Sequence, residues 1–114
     1  MSPTSPAEPR RGEVWWIAFG PSVGGEIQKT RPTVIVSNDA ANRFLNRVIV
    51  VPLTSNVSTL YPGEAYVRVN GQRRKAMVDQ VATVAKERVR ERLGVLSAQD
   101  LVALEGAIRT HLDL

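Results

Sequence analysis

Cysteine is absent from this 114-residue chain, and histidine occurs once, at His111. Without cysteine the chain has no disulfide framework, no thiolate nucleophile and no zinc site built on sulfur. A single histidine excludes a two-histidine acid–base pair within one subunit, and we expect His111 to pack at the edge of the molecule. No apolar run is long enough for a membrane helix or for the core of a signal peptide. The sequence therefore predicts a cytoplasmic protein with no membrane partner.

Carboxylates are scattered along the chain. No close-spaced pair occurs among the candidates for a metal site, which are Glu13, Glu26, Asp39, Glu64 and Asp79. Distant carboxylates can meet in a fold, so the spacing disfavours a magnesium site without excluding one. We expect no metal and no cofactor.

Positive charge is concentrated in the first two-thirds of the chain. Residues 1–75 contain ten basic and five acidic residues, whereas residues 76–114 contain five and six. Twelve of the fifteen cations are arginine, whose planar guanidinium suits phosphate better than the point charge of lysine. A polyanionic partner fits this distribution, and the alternative is that a net charge of +4 serves solubility alone.

The hydrophobic pattern predicts a small, mostly antiparallel barrel closed by one helix. Runs rich in β-branched and aromatic residues predict strands at 14–19, 32–37, 48–53 and 64–69, and the Asn70-Gly71 turn signal points to another near 76–84. Residues 86–92 have the composition of a charged helical turn. Ser97 and Asp100 predict the start of a helix whose apolar positions are Leu101, Leu104, Ile108 and Leu112. We predict an α+β fold with one domain, residues 11–114, after a flexible tail, residues 1–10.

Trp15 and Trp16 are adjacent in the first predicted strand. Successive strand residues face opposite sides, so the two rings cannot share one core. Either a helix or a second subunit covers the far side of this strand, or one ring faces a ligand groove. Packing is the commoner role for large apolar side chains.

The second and third predicted strands form a hairpin with a long connection. If Ser37 faces Val48, opposed residue numbers sum to 85, and Arg31 faces Thr54. The loop that carries Glu26 enters at the same end of the sheet. Pro32 keeps the preceding residue extended, which directs the Arg31 side chain. Three segments, residues 24–26, 29–31 and 54–56, are therefore expected to converge.

These segments resemble the MazF/PemK family of toxin endoribonucleases. The resemblance runs from Arg11 to the C-terminus and is carried by RGEVWWIAF, GGEIQKTRPTVIVSND, VIVVPLTSN and the DQV of residues 79–81. It implies an SH3-like barrel that forms a homodimer, cleaves single-stranded RNA at short sequences without ribosomes or metal, and is neutralised by a cognate antitoxin. Gly25 stands where the family usually has serine.

RNA supplies its own nucleophile, the 2′-hydroxyl, so an enzyme can act by positioning the phosphate and stabilising its developing charge. By this resemblance, the catalytic residues are Arg31 on the phosphate, Thr54 on a non-bridging oxygen and Glu26 as the orienting carboxylate. The expected products are a 2′,3′-cyclic phosphate and a 5′-hydroxyl. Bases would be read by stacking and by bonds to their edges. The expected RNA-binding residues are Gly25, Lys29, Thr30, Ser55, Asn56, Tyr61 and Gln80.

Each site residue also has a structural interpretation. Thr54, Ser55 and Asn56 are typical of strand ends, Tyr61-Pro62 of a turn, and Gln80 can satisfy backbone groups. Three other functions fit the same predicted barrel. The chain resembles the CcdB family of gyrase poisons in its barrel, but ends Leu112-Asp113-Leu114 rather than Trp-Gly-Ile. It could also be a catalytically inactive RNA-binding module or a protein-interaction barrel.

Overall fold

The structure, a computed structural model, describes residues 8–20 and 29–114. Within these ranges the chain forms seven strands, two α-helices and two 3₁₀ turns. In chain order they are β1 (Glu13–Phe19), β2 (Lys29–Ile35), α1 (Asp39–Phe44), β3 (Arg47–Thr54), β4 (Ala65–Val69), β5 (Gln72–Ala76), a 3₁₀ turn (Val78–Gln80), β6 (Ala82–Ala85), a second 3₁₀ turn (Lys86–Arg88), β7 (Val89–Val95) and α2 (Ala98–Leu112).

The strands form one curled antiparallel sheet in the order β4-β5-β3-β2-β1-β7. β3 changes partner along its length, because residues 47–50 pair with β6 and residues 53–54 pair with β5. This exchange lets the sheet curl into a half-barrel with α2 packed beside β4. The predicted mainly-β fold with a C-terminal helix is confirmed.

The two faces of the sheet carry separate apolar clusters, because successive strand residues point to opposite sides. The first cluster lies under α2 and includes Val34, Val51, Val67 and the helix residue Leu104. We call this side of the sheet the helix-covered face. The second cluster lies on the opposite side, and its buried members are Ile17, Ile35, Val48, Val50, Val84 and Val89.

The register of the β2–β3 hairpin is as predicted. Thr33 pairs with Pro52, Val34 with Val51 and Ile35 with Val50, so opposed numbers sum to 85. The ladder stops at the Thr33–Pro52 pair. Pro32 and Pro52 have no N–H to donate, which gives a physical reason for the stop. The helical turn expected in the connection is α1, whose first turn is capped by the Asn38 side chain accepting from the Ala41 N–H at 2.8 Å.

The predicted strand near 76–84 is wrong in its position. Asn70 and Gly71 have φ of 52° and 80°, the pair of positive values that a two-residue type I′ turn requires. β5 therefore begins directly after this turn and pairs with β4 from Val69–Gln72 to Ala65–Ala76. The predicted stretch instead holds a 3₁₀ turn and the short strand β6.

The helical turn predicted for 86–92 is correct only for Lys86–Arg88. From Val89 the chain forms β7, which pairs with β1. Arg92 makes an ion pair at 3.0 Å with Glu13 on that neighbouring strand. The alternating charges of this segment favour a helix locally, and pairing with an open sheet edge outweighs that preference.

The C-terminal helix begins and packs as predicted. The Ser97 hydroxyl accepts from the Asp100 N–H at 3.0 Å. Leu104 is fully buried, and Leu101 and Ile108 pack against the helix-covered face. Leu112 is 48% exposed and marks the solvent end of the apolar stripe.

Both tryptophans of β1 are half-buried. Trp15 packs against the second apolar cluster and donates from Nε1 to Glu13 Oε1 at 3.1 Å. At the N-terminus of the described chain, Pro9 is buried and the Arg10 N–H bonds Glu13. Packing thus begins two residues before the predicted domain start. No helix in the described ranges is long and apolar enough to cross a membrane.

Candidate active site

Three side chains form a row across paired strands on the side of the sheet opposite α2, and the β2–β3 register extends this row to a fourth. Thr54 on β3 pairs directly with Lys75 on β5, and Lys75 pairs with Tyr66 on β4. Continuing the β2–β3 register by two residues puts Arg31 opposite Thr54. Opposed residues of an antiparallel pair point to the same side of the sheet. We call the surface defined by Arg31, Thr54, Lys75 and Tyr66 the site face.

Arg31 and Thr54 occupy the strand ends on either side of the prolines. Both are half-buried. Arg31 is anchored through its backbone, because it pairs with Ile17 on β1 and its carbonyl accepts from the Thr33 hydroxyl at 3.0 Å. These neighbours fix the direction from which the guanidinium projects. The proposed catalytic pair thus lies on regular strands rather than on loops.

The residues that precede Arg31 are exposed at the same end of the sheet. Lys29 and Thr30 pair with Phe19 and Ala18 of β1. Lys29 has φ of 70°, in the region that favours glycine. A non-glycine residue in that region costs roughly 1–3 kcal/mol, and such residues cluster at functional sites. This conformation sets where the chain enters the site face.

The loop after β3 is shaped by its own polar side chains. The Asn56 N–H donates to Thr54 Oγ1 at 3.2 Å, and Asn56 Oδ1 accepts from the N–H and the hydroxyl of Ser58 at 3.3 and 2.8 Å. Ser55 and Asn56 are both exposed. The structural role expected for Thr54 and Asn56 is therefore observed. The Thr54 hydroxyl accepts in this turn and still carries its own proton to donate.

Tyr61 is held by its backbone and presents its ring to solvent. Its N–H donates to Glu64 Oε1 at 2.8 Å, its carbonyl accepts from the Glu64 N–H at 3.1 Å, and its side chain is 61% exposed. Lys75 lies behind the ring, with Nζ 5.8 Å from the centroid, 3.0 Å from the Thr59 carbonyl and 3.4 Å from Glu64 Oε1. The expected turn is present, and it leaves an aromatic surface beside the row.

Gln80 lies in the 3₁₀ turn between β5 and β6. This turn runs beside β3, because the Met77 N–H bonds the Pro52 carbonyl at 2.9 Å. Gln80 is half-buried, and its Nε2 is 3.4 Å from Asp79 Oδ2. Gln80 thus lies between Met77, which bonds Pro52, and Ala82, which pairs with Val50, beside the part of β3 that precedes Thr54.

Two expected site residues, Gly25 and Glu26, lie outside the described residues, so the predicted convergence of the third segment stays a prediction. Among the described residues no group of three or more His, Asp or Glu side chains is placed to hold a metal ion. His111 lies at the molecular edge beside Gly63, where a Cβ on the glycine would approach Nδ1 to 3.1 Å. This is the packing role expected for it.

Lys75 and Tyr66 were missed by sequence analysis, because β5 was expected four residues too late. The signal was present in the sequence. A two-residue turn at Asn70-Gly71 makes opposed numbers sum to 141, which puts Lys75 opposite Tyr66.

The family model of the "PemK-like, MazF-like toxin of type II toxin-antitoxin system" matches residues 10–112. The chain is 37% identical to Endoribonuclease MazF9 of Mycobacterium tuberculosis (strain ATCC 25618 / H37Rv), across 92% of this chain and 97% of the relative.

Solved structures are similar as well. A crystal structure of MazF from Deinococcus radiodurans has a TM-score of 0.83 at 24% identity, covering 95% of this chain and 99% of that chain, and it supports the fold. An endoribonuclease in complex with its cognate antitoxin from a mycobacterial species has a TM-score of 0.78 at 26% identity, covering 93% and 96%. The family match over nearly the whole chain confirms the resemblance drawn from the motifs. The chain belongs to the PemK-like, MazF-like toxins of type II toxin-antitoxin systems.

Proposed function

We propose that this toxin is an endoribonuclease that cleaves single-stranded RNA at short sequences, without ribosomes, metal or another cofactor. Membership of the toxin family and the endoribonuclease named at 37% identity support the activity. The observation that supports the proposed chemistry is the β2–β3 register, which, extended two residues beyond the Thr33–Pro52 pair, puts Arg31 opposite Thr54 on one face of the sheet. Serving as a toxin implies action in the cytoplasm, where the RNA is.

The proposed reaction uses groups that the substrate and the site supply. The 2′-oxygen, which Glu26 is proposed to orient, attacks the adjacent phosphorus in line and gives up its proton to water. The bond from phosphorus to the 5′-oxygen breaks, and that oxygen takes up a proton. The products are a 2′,3′-cyclic phosphate and a 5′-hydroxyl, and their atoms together equal those of the substrate.

Arg31 is suited to the charge that develops on the phosphate. A guanidinium offers several N–H donors in a planar fork, a geometry that matches the oxygens of a phosphate. Thr54 can donate its hydroxyl proton to a non-bridging oxygen. Fixed donors aimed at developing charge are commonly the largest contribution to catalysis. Lys29, Thr30 and Ser55 would hold the flanking backbone, and Gly25 would leave room for it.

Base recognition is proposed for Tyr61, Asn56 and Gln80. The 61% exposure of Tyr61 suits stacking of an unpaired base. The amides of Asn56 and Gln80 can each donate to and accept from a base edge.

Two protein partners are proposed. The first is a cognate antitoxin, as in the mycobacterial complex with the same fold. The second is another copy of this chain, because Trp15 and Phe19 pack on the second apolar cluster and remain only partly buried. Sedimentation equilibrium at micromolar concentration should give the mass of a dimer, and a monomer there would contradict this assignment.

The activity is tested by incubating the antitoxin-free protein with a long unstructured RNA in EDTA and mapping every new 5′ end. We expect cuts at a recurring short motif, with ends that a polynucleotide kinase labels directly because they carry 5′-hydroxyls. Arg31→Ala should lower the rate by about 10²–10³, as removal of a transition-state donor does. Arg47→Ala, at the other end of β3, is the matched control and should retain activity. Intact RNA with the unmodified chain would refute the proposal.

The role of Thr54 is tested by a second pair of variants. Thr54→Val keeps the shape and removes the hydroxyl, and a hydrogen bond to a charged group is worth about 1.5–3 kcal/mol, or roughly a tenfold to hundredfold lower rate. Thr54→Ser should restore most of the activity. If Thr54→Val and Thr54→Ser both kept the cleavage rate of the unmodified chain, Thr54 would have no part in the mechanism.

A further inference from the structure

The β4–β5 hairpin carries positive charge that the proposed chemistry does not use. Residues 65–76 contain four cations, Arg68, Arg73, Arg74 and Lys75, and no carboxylate. Lys75 is engaged with Glu64 and the loop that follows β3. Arg68 and Arg73 are exposed. In the described part of the chain no carboxylate lies within ion-pair distance of either guanidinium.

Arg68 and Arg73 are directly opposed in the β4–β5 ladder. Like charges in that relation destabilise an antiparallel pair. The side chains lie on the site face, because Arg68 alternates with Tyr66 on β4 and Arg73 with Lys75 on β5. A bound anion between the two guanidinium groups would turn their repulsion into a favourable site.

Arg73 is also stacked on an aromatic ring. Its guanidinium carbon is 3.7 Å from the centroid of Tyr66. The ring is itself fixed, because the Tyr66 hydroxyl donates to the Val57 carbonyl at 2.8 Å. The guanidinium therefore lies over the tyrosine ring at cation–π distance. A planar cation held in this way can stack an unpaired base.

We call Tyr66, Arg68 and Arg73 the hairpin cluster. The cluster lies on the site face, at the far end from Arg31. From Arg31 to Lys75 is two strand spacings, about 10 Å, and Arg73 is two residues farther along β5, about 7 Å. The cluster sits toward the hairpin tip, beyond the last residue of β3, so it is separate from the groups proposed to touch the reacting phosphate.

We infer that the hairpin cluster is a second RNA subsite, in which Arg68 and Arg73 bind backbone phosphates outside the cleaved motif and Arg73 stacks one base. This inference rests on the proposed function for the identity of the RNA as substrate. An acidic protein segment would also be attracted to the charge. The stacked guanidinium plane favours RNA, because carboxylate side chains offer no base to stack.

The subsite is tested with a 2′-O-methylated RNA, which cannot be cleaved because its nucleophile is blocked. The Arg68→Gln/Arg73→Gln double variant is compared with Arg109→Gln, which removes an exposed arginine of α2. The slope of log affinity against log salt concentration should become shallower by about 1.4, since each neutralised phosphate of a single strand contributes about 0.7. The control should keep the slope of the unmodified protein.

Cleavage kinetics provide an independent readout. On long RNA the double variant should show a raised KM with unchanged kcat, whereas on an oligonucleotide limited to the cleaved motif both constants should stay unchanged. Circular dichroism shows that the variants are folded. A fall in kcat on the short substrate would mean that the cluster belongs to the reacting site, and the inference of a separate subsite would be overturned.

Stacking is separated from charge by Arg73→Lys, which keeps the cation and loses the plane. With 2-aminopurine placed at each position of the probe in turn, one position should be quenched by the unmodified protein and not by Arg73→Lys, at a nearly unchanged salt slope. Absence of a quenched position would refute base stacking. An unaltered salt slope in the double variant, with weaker binding of a poly-glutamate peptide, would assign the cluster to a protein partner instead.

Failure of this inference is distinguishable from failure of the proposed function. If the unmodified protein cleaves RNA and the double variant binds the probe normally, only the second subsite is wrong. If the salt slope falls but no RNA is ever cleaved, the subsite stands and the nuclease assignment fails.

Discussion

The helix-covered face and the site face are built from alternate residues of the same strands, yet they differ in almost every respect. Under α2 the strands contribute valine, leucine and alanine, and twelve residues of that cluster are buried. On the other side, the row from Arg31 to Tyr66 is polar, cationic and partly exposed. The comparison teaches that alternate residues of the same strands supply the core under α2 and the polar row, so a change in that core should affect the row little. The second apolar cluster lies on the same side as the row.

The largest effect should come from breaking the helix-covered face. Leu104→Ala removes a fully buried side chain of α2 and should lower the free energy of unfolding by about 2–5 kcal/mol, because of lost burial and the cavity left behind. Urea denaturation gives this value. Val102→Ala, a 64% exposed position of the same helix, is the control and should change stability by less than about 0.5 kcal/mol.

The same variant also tests the separation of the two faces. At a temperature where Leu104→Ala remains folded, its cleavage rate per folded molecule should equal that of the unmodified chain. A large loss of cleavage there would show that the helix controls the site.

A substitution on the site face should raise the free energy of unfolding rather than lower it. Arg68→Gln removes the repulsion between Arg68 and Arg73 and should stabilise the RNA-free protein by about 0.2–1 kcal/mol. The gain should shrink in high salt, which screens exposed charges. Thermal unfolding at low and high salt measures both effects. A loss of stability at low salt would mean that Arg68 makes a net favourable contribution to the fold.

The smallest expected change in stability concerns a polar contact between the chain before β1 and the start of α1. The Arg11 N–H donates to Asp39 Oδ1 at 2.7 Å, and this bond holds the pKa of the Asp39 carboxyl below its usual 3.8. A carboxyl with a lowered pKa in the folded state adds stability above pH 3.8, and that stability is lost as pH falls through the folded-state pKa.

Asp39→Asn should therefore lower stability slightly at neutral pH and flatten the acid limb of a plot of unfolding free energy against pH. Glu91→Gln, an exposed carboxylate position on β7, serves as the control. An acid limb of unchanged steepness in Asp39→Asn would mean that other groups dominate acid unfolding.

Much of the fold was predictable, because the decisive signals are local. The β2–β3 register followed from two β-branched runs. The start of α2 followed from Ser97 and Asp100, a capping pattern in which the serine hydroxyl accepts from the Asp100 N–H. β7 was not predictable in this way, since residues 89–92 gain their strand structure from β1, a partner far away in sequence.

The site was predictable to the extent that the resemblance and the hairpin register supplied it. The opposition of Arg31 and Thr54 could be predicted from the β2–β3 hairpin alone. The Asn70-Gly71 turn predicts the pairing of Tyr66 with Lys75, but the place of this pair beside Thr54 depends on β3 exchanging its partner between β6 and β5. An exchange of partners leaves no mark in the periodicity of one strand. The assignments of Gly25 and Glu26 stay predictions.

The two prolines at the end of the β2–β3 ladder have a mechanical consequence. Residues 29–32 pair with β1, and the paired stretch between β2 and β3 ends at Thr33 and Pro52. Arg31 is held by its pairing with Ile17 on β1 and Thr54 by its pairing with Lys75 on β5, so the two members of the proposed catalytic pair are positioned by different neighbouring strands.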